Sequence, residues 1–285
     1  MKIKNATSIL FILLLLIFSC ATLQQLANVQ KPQVRVGQIR LTNLTFDKVD
    51  LAVDLNITNP NPVAATLAGF DYNFFLNGQS FLTGNQVKQT TISANGQSTL
   101  QIPLSLTFKQ IYDTYKSLKN SDSTVYKIAA GLSFDLPIIG KTRIPVQKSG
   151  YLPLAKIPSI KLSSLKLKSL NFSSAKVELQ LKVDNPNAFS LNINKLNYNF
   201  LVNNKQWGVG QIAEVLQINQ KGSSTIKIPL SLNFMEIGRT VYSMLTGSSG
   251  LSYQLKGDAA LTSSLKVMPQ LELPFNRSGK INISR

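Results

Sequence analysis

The chain has 285 residues, of which 44% are hydrophobic and only 15% charged, with 30 Lys and Arg against 13 Asp and Glu for a net charge of +17. That apolar content excludes a disordered polyelectrolyte and suffices for one or two domains with cores of their own. There is no His and a single Cys, at position 20, which removes Ser-His-Asp and Cys-His nucleophile systems and zinc sites of the usual His/Cys kind.

Residues 1–20 read as an export segment. Lys2 and Lys4 precede an apolar run from Ile9 to Phe18, about half of the ~20 residues that span a bilayer, so a secretory signal is expected and not a transmembrane helix. Ile17-Phe18-Ser19-Cys20 resembles a bacterial lipobox, which implies cleavage ahead of Cys20 and lipid attachment to it. A Cys carrying several acyl chains is a lasting membrane anchor, whereas one chain binds only marginally. Ala21 after the Cys points, by the same resemblance, to the outer membrane, with the protein on its periplasmic or surface face. Residues 21–31 then form a tether.

The rest of the chain is an internal repeat at an offset of 126. Leu41, Leu44 and Phe46 meet Leu167, Leu170 and Phe172; Asn59-Pro60-Asn61 meets Asn185-Pro186-Asn187; Tyr72-Asn73-Phe74 meets Tyr198-Asn199-Phe200. Ile102-Pro103-Leu104-Ser105-Leu106 likewise meets Ile228-Pro229-Leu230-Ser231-Leu232. Two copies of so long a period indicate tandem domains, since solenoid repeats are shorter and more numerous. The expected boundaries are 32–150 and 151–285, joined by a short linker around Pro153 and Pro158.

Within each copy the hydrophobic period is mostly two. Val49 to Ile57 and Val177 to Val183 alternate apolar with mainly polar residues, and Gly, Asn and Pro punctuate the runs. This predicts half-buried antiparallel strands, and their number and spacing predict a mainly β protein of two tandem antiparallel sandwiches. One segment per copy departs from that period. Phe108, Ile111, Tyr112, Tyr115 and Leu118, and likewise Phe234, Ile237, Val241, Tyr242 and Leu245, follow helical spacing. Each domain should carry one amphipathic helix of roughly three turns, packed on the sandwich. The mixed charges Lys109, Asp113 and Lys116 favour core packing over a membrane-surface helix.

Asn-Pro-Asn follows the alternating strand in both copies. Pro removes an amide donor and fixes φ, and Asn hydrogen-bonds nearby backbone, so the motif is expected to end or bulge the strand and not to contact a ligand. A strand ending in Asn-Pro-Asn, then a Tyr-Asn-Phe strand, a Ser/Thr-containing turn into Ile-Pro-Leu-Ser-Leu and a helix resembles the WHy (water stress and hypersensitive response) domain of the group 2 late embryogenesis abundant proteins. The resemblance implies a seven-stranded, two-sheet sandwich of fibronectin III or immunoglobulin type, no catalytic residues, and a role in desiccation, cold or other stress.

No phosphate-binding glycine loop, acidic calcium loop or paired-acid site is present in the sequence, so neither an enzyme nor a cofactor is expected. The basic excess is uneven: residues 32–150 hold 11 Lys and Arg against 7 Asp and Glu, and residues 151–285 hold 16 against 6. Lys161, Lys166, Lys168, Lys176 and Lys182 lie in the first strands of the second copy, where alternation puts several on one face. That face could meet an anionic surface, or could be a Lys-rich edge that resists aggregation. Export and the lack of a recognition motif argue against nucleic acid. The expected function is a non-enzymatic, lipid-anchored envelope protein with structural or stress-protective binding activity. The alternative is a carrier of a lipid or other apolar ligand.

Overall fold

The computed structural model describes residues 29–284 apart from 88, 138, 239, 248 and 249. The expected signal segment, Cys20 and most of the expected tether therefore lie outside the described residues.

The first repeat contains β1 (Gln33–Leu44), β2 (Lys48–Thr58), β3 (Ala65–Leu76), β4 (Gln79–Gln86), β5 (Thr90–Ile92), β6 (Gln97–Thr107), β7 (Ser123–Leu136) and β8 (Gly140–Pro153). They form a three-stranded sheet in the order β1-β2-β6 and a larger sheet in the order β4-β3-β7-β8, with β5 also paired to β3. The second repeat contains β9 (Ser159–Leu170), β10 (Ser174–Asp184), β11 (Leu191–Val202), β12 (Lys205–Ile212), β13 (Leu216–Ile218), β14 (Ser223–Asn233), β15 (Leu251–Ser263), β16 (Leu271–Ile281) and β17 (Ile283–Ser284). Its sheets run β14-β10-β9-β17 and β12-β11-β15-β16, with β13 on β11. Seven long strands per repeat agree with the expected sandwich. The additions are the three-residue β5 and β13, and β17, which pairs in parallel with β9.

Alternation explains the cores. Leu51, Val53, Leu55 and Ile57 of β2 and Leu67, Phe70 and Phe74 of β3 are buried, as are Ile128, Leu132 and Phe134 of β7. In the second repeat Val177, Leu179, Leu181 and Val183 join Leu196, Phe200, Leu255 and Ala259 in one cluster. A residue bulge sets the register of both large sheets, between Phe74 and Phe75 and between Phe200 and Leu201. The hairpin that follows requires left-handed backbone, met by Asn77-Gly78 (φ 50° and 82°) in one copy and Asn203-Asn204 (φ 47° and 62°) in the other, the positive-φ pair of a tight hairpin turn.

The helical segment is shorter than its spacing suggested and comes in two pieces in each copy. α1 (Phe108–Thr114) stops where Tyr115 turns to φ −124°, ψ 79°, and a 3-10 turn over Lys116–Asn120 follows. This break lets Tyr115 and Leu118 both reach buried positions. In the second copy α2 (Phe234–Ile237) ends at Gly238, whose φ of 104° suits glycine, and α3 (Thr240–Thr246) follows. Compactness divides the chain into two units. One takes the described residues up to Thr42 with Asp50–Ser105 and Ser123–Pro153; the other takes Asn43–Val49, Leu106–Asp122 and the residues from Leu154 onward.

Candidate functional site

The Asn-Pro-Asn motifs are buried amide clamps. Asn59 donates its side-chain amide to the carbonyls of Val63 (2.8 Å), Ile92 (3.3 Å) and Ser93 (3.0 Å), and its Oδ1 accepts from the Asn61 backbone and side chain. Asn61 then holds one residue by both backbone groups: Gln30 N donates to Oδ1 (2.6 Å) and Nδ2 donates to Gln30 O (2.8 Å). The second copy repeats this arrangement at the equivalent residues. Asn185 Nδ2 donates to Phe189 O and Asn219 O, while Asn187 pairs with Lys156 N (2.7 Å) and O (2.8 Å). All four Asn are at most 2% exposed. Both faces of the side-chain amide are used, as only a group with donor and acceptor together allows. The four amides thus hold backbone, and the bound segment leads into the first strand of each sandwich.

The lysines fall on the outer face of the four-stranded sheet. Lys161 lies opposite Lys182, Lys166 opposite Glu178, and Lys176 and Lys182 alternate with the buried Val177, Leu179 and Leu181. Residues directly opposite on paired strands share a face. Lys168 sits at a register shift and reaches Glu178 at 3.5 Å, while Lys182 pairs with Asp184 at 2.9 Å. A sixth lysine completes the face: Lys227 lies opposite Gln180. Its alternating segment, Ile226-Lys227-Ile228, was legible in the sequence, but its alignment with β10 required the sheet order. Glu178 is held below the usual carboxylate range by a hydrogen bond from Gln180, with Lys168 adding to it. Asp184 is lowered chiefly by Lys182.

The same face of the first repeat is close to neutral. Arg35, Arg40, Lys48, Asp50 and Asp54 are its charged residues. Arg40 and Gln101 (3.0 Å) both bind the Asp54 carboxylate, which is 8% exposed. Gln101, then Arg40, outweigh burial and hold Asp54 below its ordinary value.

An open groove of about 840 Å³ lies on the larger sheet of the first repeat, lined by residues that include Asp71, Asn73, Asn85, Ala129, Arg143 and Gln147. Arg143 lies across β7 and makes two hydrogen bonds to Asp71, at 2.9 and 2.6 Å. Gly131 permits this approach, because a Cβ there would come within 2.0 Å of the guanidinium. The Arg143 hydrogen bond holds Asp71 below its usual value. A smaller groove of about 480 Å³ occupies the corresponding place in the second repeat, around Asn197, Asn199, Gln211 and Asp258. An apolar slot of about 250 Å³ lies between Ile193, Leu196, Ile212, Val215 and Ile226, with Glu214 and Lys227 also lining it.

One carboxylate escaped the sequence reading. Asp122 binds Lys156 (3.1 Å) and Lys221, and Lys221 also donates to Pro186 O (2.9 Å). Lys221 occupies left-handed backbone (φ 53°) where the first copy has Asn95 (φ 51°). The Lys221 hydrogen bond, then Lys156, lowers the Asp122 carboxyl. Among the described residues no cluster of His, Cys, Asp or Glu could hold a metal ion, and no helix is long and apolar enough to cross a membrane.

A family model described as "Late embryogenesis abundant protein" matches residues 54–150 and 180–279, one match within each repeat. The chain is 23% identical to late embryogenesis abundant protein Lea14-A of Gossypium hirsutum over 136 residues, 48% of this chain and 90% of that protein. It is 21% identical to the desiccation protectant protein Lea14 homolog of Glycine max over 131 residues, 46% of this chain and 86% of the other. Among solved structures, the Arabidopsis thaliana protein AT1g01470 aligns over 45% of this chain and 85% of its own, at 20% identity and a TM-score of 0.37. With both repeats matched, the chain belongs to the type 2 late embryogenesis abundant family.

Proposed function

We propose that this protein is a non-enzymatic, stress-protective binding module held at the cell envelope by lipid on Cys20, with two WHy-type sandwiches that act through their surfaces. The observation that carries the surface reading is the filled interior. Phe74, Phe134 and Phe200 are fully buried between the sheets, and the groove of about 840 Å³ on the first repeat is open and crossed by the Asp71–Arg143 pair. The carboxylates Asp54, Asp71, Asp122 and Asp184 are each engaged by a cation, which leaves them poor general acids. The desiccation-related names of its relatives supply the stress context, and the lysine face supplies a surface for anionic material.

Two experiments test this. Purified full-length protein should preserve the activity of a freeze-labile enzyme through freeze–thaw better than equal-mass albumin; equal recovery would remove the protective role. In the native host, palmitate label should be lost with Cys20→Ala, and label that persists would sink the anchor. A second reading, a carrier of an apolar ligand, is favoured by the slot beside Ile193 and Ile226. Its volume of about 250 Å³ lies below the roughly 300–1,000 Å³ of small-molecule sites, so only a short chain would fit. A stoichiometric lipid surviving native mass spectrometry would favour that reading.

A further inference from the structure

The β9–β10 turn of the second sandwich exposes a large apolar side chain on a rigid support. Phe172 is 95% exposed, the most exposed of the large hydrophobics among the described residues. Its turn is tightly bonded: Asn171 N donates to Ser174 O at 3.0 Å, and Asn171 Oδ1 accepts from Ser173 N at 3.0 Å and Ser174 N at 2.7 Å. Phe234 N donates to Ser173 O at 3.0 Å, which fixes the start of α2 beside this turn. Met235 is next along the chain and is 89% exposed, and the ring of Tyr242, 37% exposed, stacks on Phe172 at 6.4 Å with an interplanar angle of 10°. Phe172, Met235 and Tyr242 thus form one apolar tip.

Cations collar that tip. Lys176 is two residues beyond the turn, about 7 Å along the strand, and Lys166 and Lys168 lie on the neighbouring rungs of β9. Lys161, Lys182 and Lys227 are farther out, with Lys182 eight residues from Ser174 or roughly 26 Å. The acidic groups on these elements are Glu178, already paired with Lys168, Asp184, paired with Lys182 at the far end of β10, and Glu236, which accepts from Asn233 Nδ2 at 3.0 Å. The first repeat lacks this arrangement. Its equivalent residue, Phe46, is partly buried against the second core, and Lys109 and Lys116 replace Met235 and Tyr242.

We infer that this tip is a docking site for an anionic lipid bilayer, with Phe172, Met235 and Tyr242 entering the headgroup layer and Lys166, Lys168 and Lys176 meeting the acidic headgroups. An exposed aromatic and Met patch suits the interface, where one side of the group is apolar and the other wet, and lysines within a Debye length of ~10 Å add attraction to negative lipid. The inference goes beyond the proposed function and does not depend on Cys20.

The native chain has one Trp, Trp207, which is 3% exposed and serves as an internal reference. Full-length F172W places a second indole on the tip. Vesicles of brominated phosphatidylcholine with phosphatidylglycerol should quench the F172W emission roughly twofold, while neutral brominated vesicles and the parent chain show little change. K166Q/K168Q/K176Q should abolish the quenching and K161Q/K182Q/K227Q should largely spare it. No quenching, equal quenching on neutral vesicles, or equal loss in both triple variants would overturn the inference. So would lysine-dependent binding of soluble polyphosphate with the tip unquenched on vesicles. Attachment through the N-terminal segment alone would bring the chain to both vesicle types and leave the F172W emission unquenched, so failure of this inference is distinguishable from failure of the anchor.

Discussion

The two sandwiches share a backbone and differ on their outsides. Ile102, Leu104 and Leu106 of β6 and Ile228, Leu230 and Leu232 of β14 are buried at equivalent positions. The outward residues between them, Pro103 and Ser105, recur as Pro229 and Ser231, while the outward residue just ahead has diverged, Gln101 becoming Lys227. On the neighbouring strand Asp50 and Asn56 become Lys176 and Lys182. Inward positions are fixed by close packing, where one methylene is felt, while outward positions on a solvated sheet tolerate exchange. A near-neutral face in one copy against six lysines and two acids in the other is thus a difference that core packing leaves free. The like-charged Lys161 and Lys182 lie directly opposite each other, an arrangement that costs stability.

The comparison predicts equal cores. Phe74→Ala and Phe200→Ala each truncate a fully buried ring and should each cost about 3–5 kcal/mol. Calorimetry of the two variants should lower different transitions by similar amounts; a response from only one copy would break the equivalence. The clamps should be less even. Asn187→Ala strips both backbone groups of Lys156, beside the buried Leu154 and Ala155, and should cost about 2–4 kcal/mol. Asn61→Ala frees the exposed Gln30, whose backbone water can reach, and should cost about 1–2 kcal/mol by chemical denaturation.

Acid should sharpen the contrast between the units. Asp122 and Asp54 titrate below their ordinary value of 3.8 in the fold. Their stabilisation is complete above the unfolded pKa and is lost as pH falls below about 4 through the folded value. Asp122 is 40% exposed in its side chain, so Asp122→Asn should remove no more than about 1 kcal/mol of that acid sensitivity. Asp54→Asn should act on the other unit, and pH-dependent melts of the two variants separate them. The smallest effect carries the opposite sign. Lys161→Glu, facing Lys182, should stabilise by a few tenths of a kcal/mol at low salt and by less in high salt.

Period-two alternation and the 126-residue offset were enough to foresee two antiparallel sandwiches, since inward residues announce themselves along one strand at a time. The lysine face was legible to the extent that β9 and β10 are neighbours in sequence; Lys227 arrives from β14, forty-odd residues away. The two-piece helices were hidden because Tyr115 keeps helical spacing while its backbone leaves the helix. The clamp was hidden for a similar reason: Asn61 and Gln30 are 31 residues apart, and no local pattern marks the partner of a side chain that bonds backbone.

That clamp also has a mechanical meaning. Asn61 grips Gln30 by its N–H and C=O together, ahead of β1, so tension drawn through the N-terminal side of the chain arrives first at two hydrogen bonds loaded in parallel. They would have to fail together before the force reached the β1–β2 ladder. The Asn187 grip on Lys156 does the same for a load passing from one repeat to the next. Each sandwich thus enters its fold through a strain relief, and a pull on the chain would be spent on two side chains before any strand is peeled.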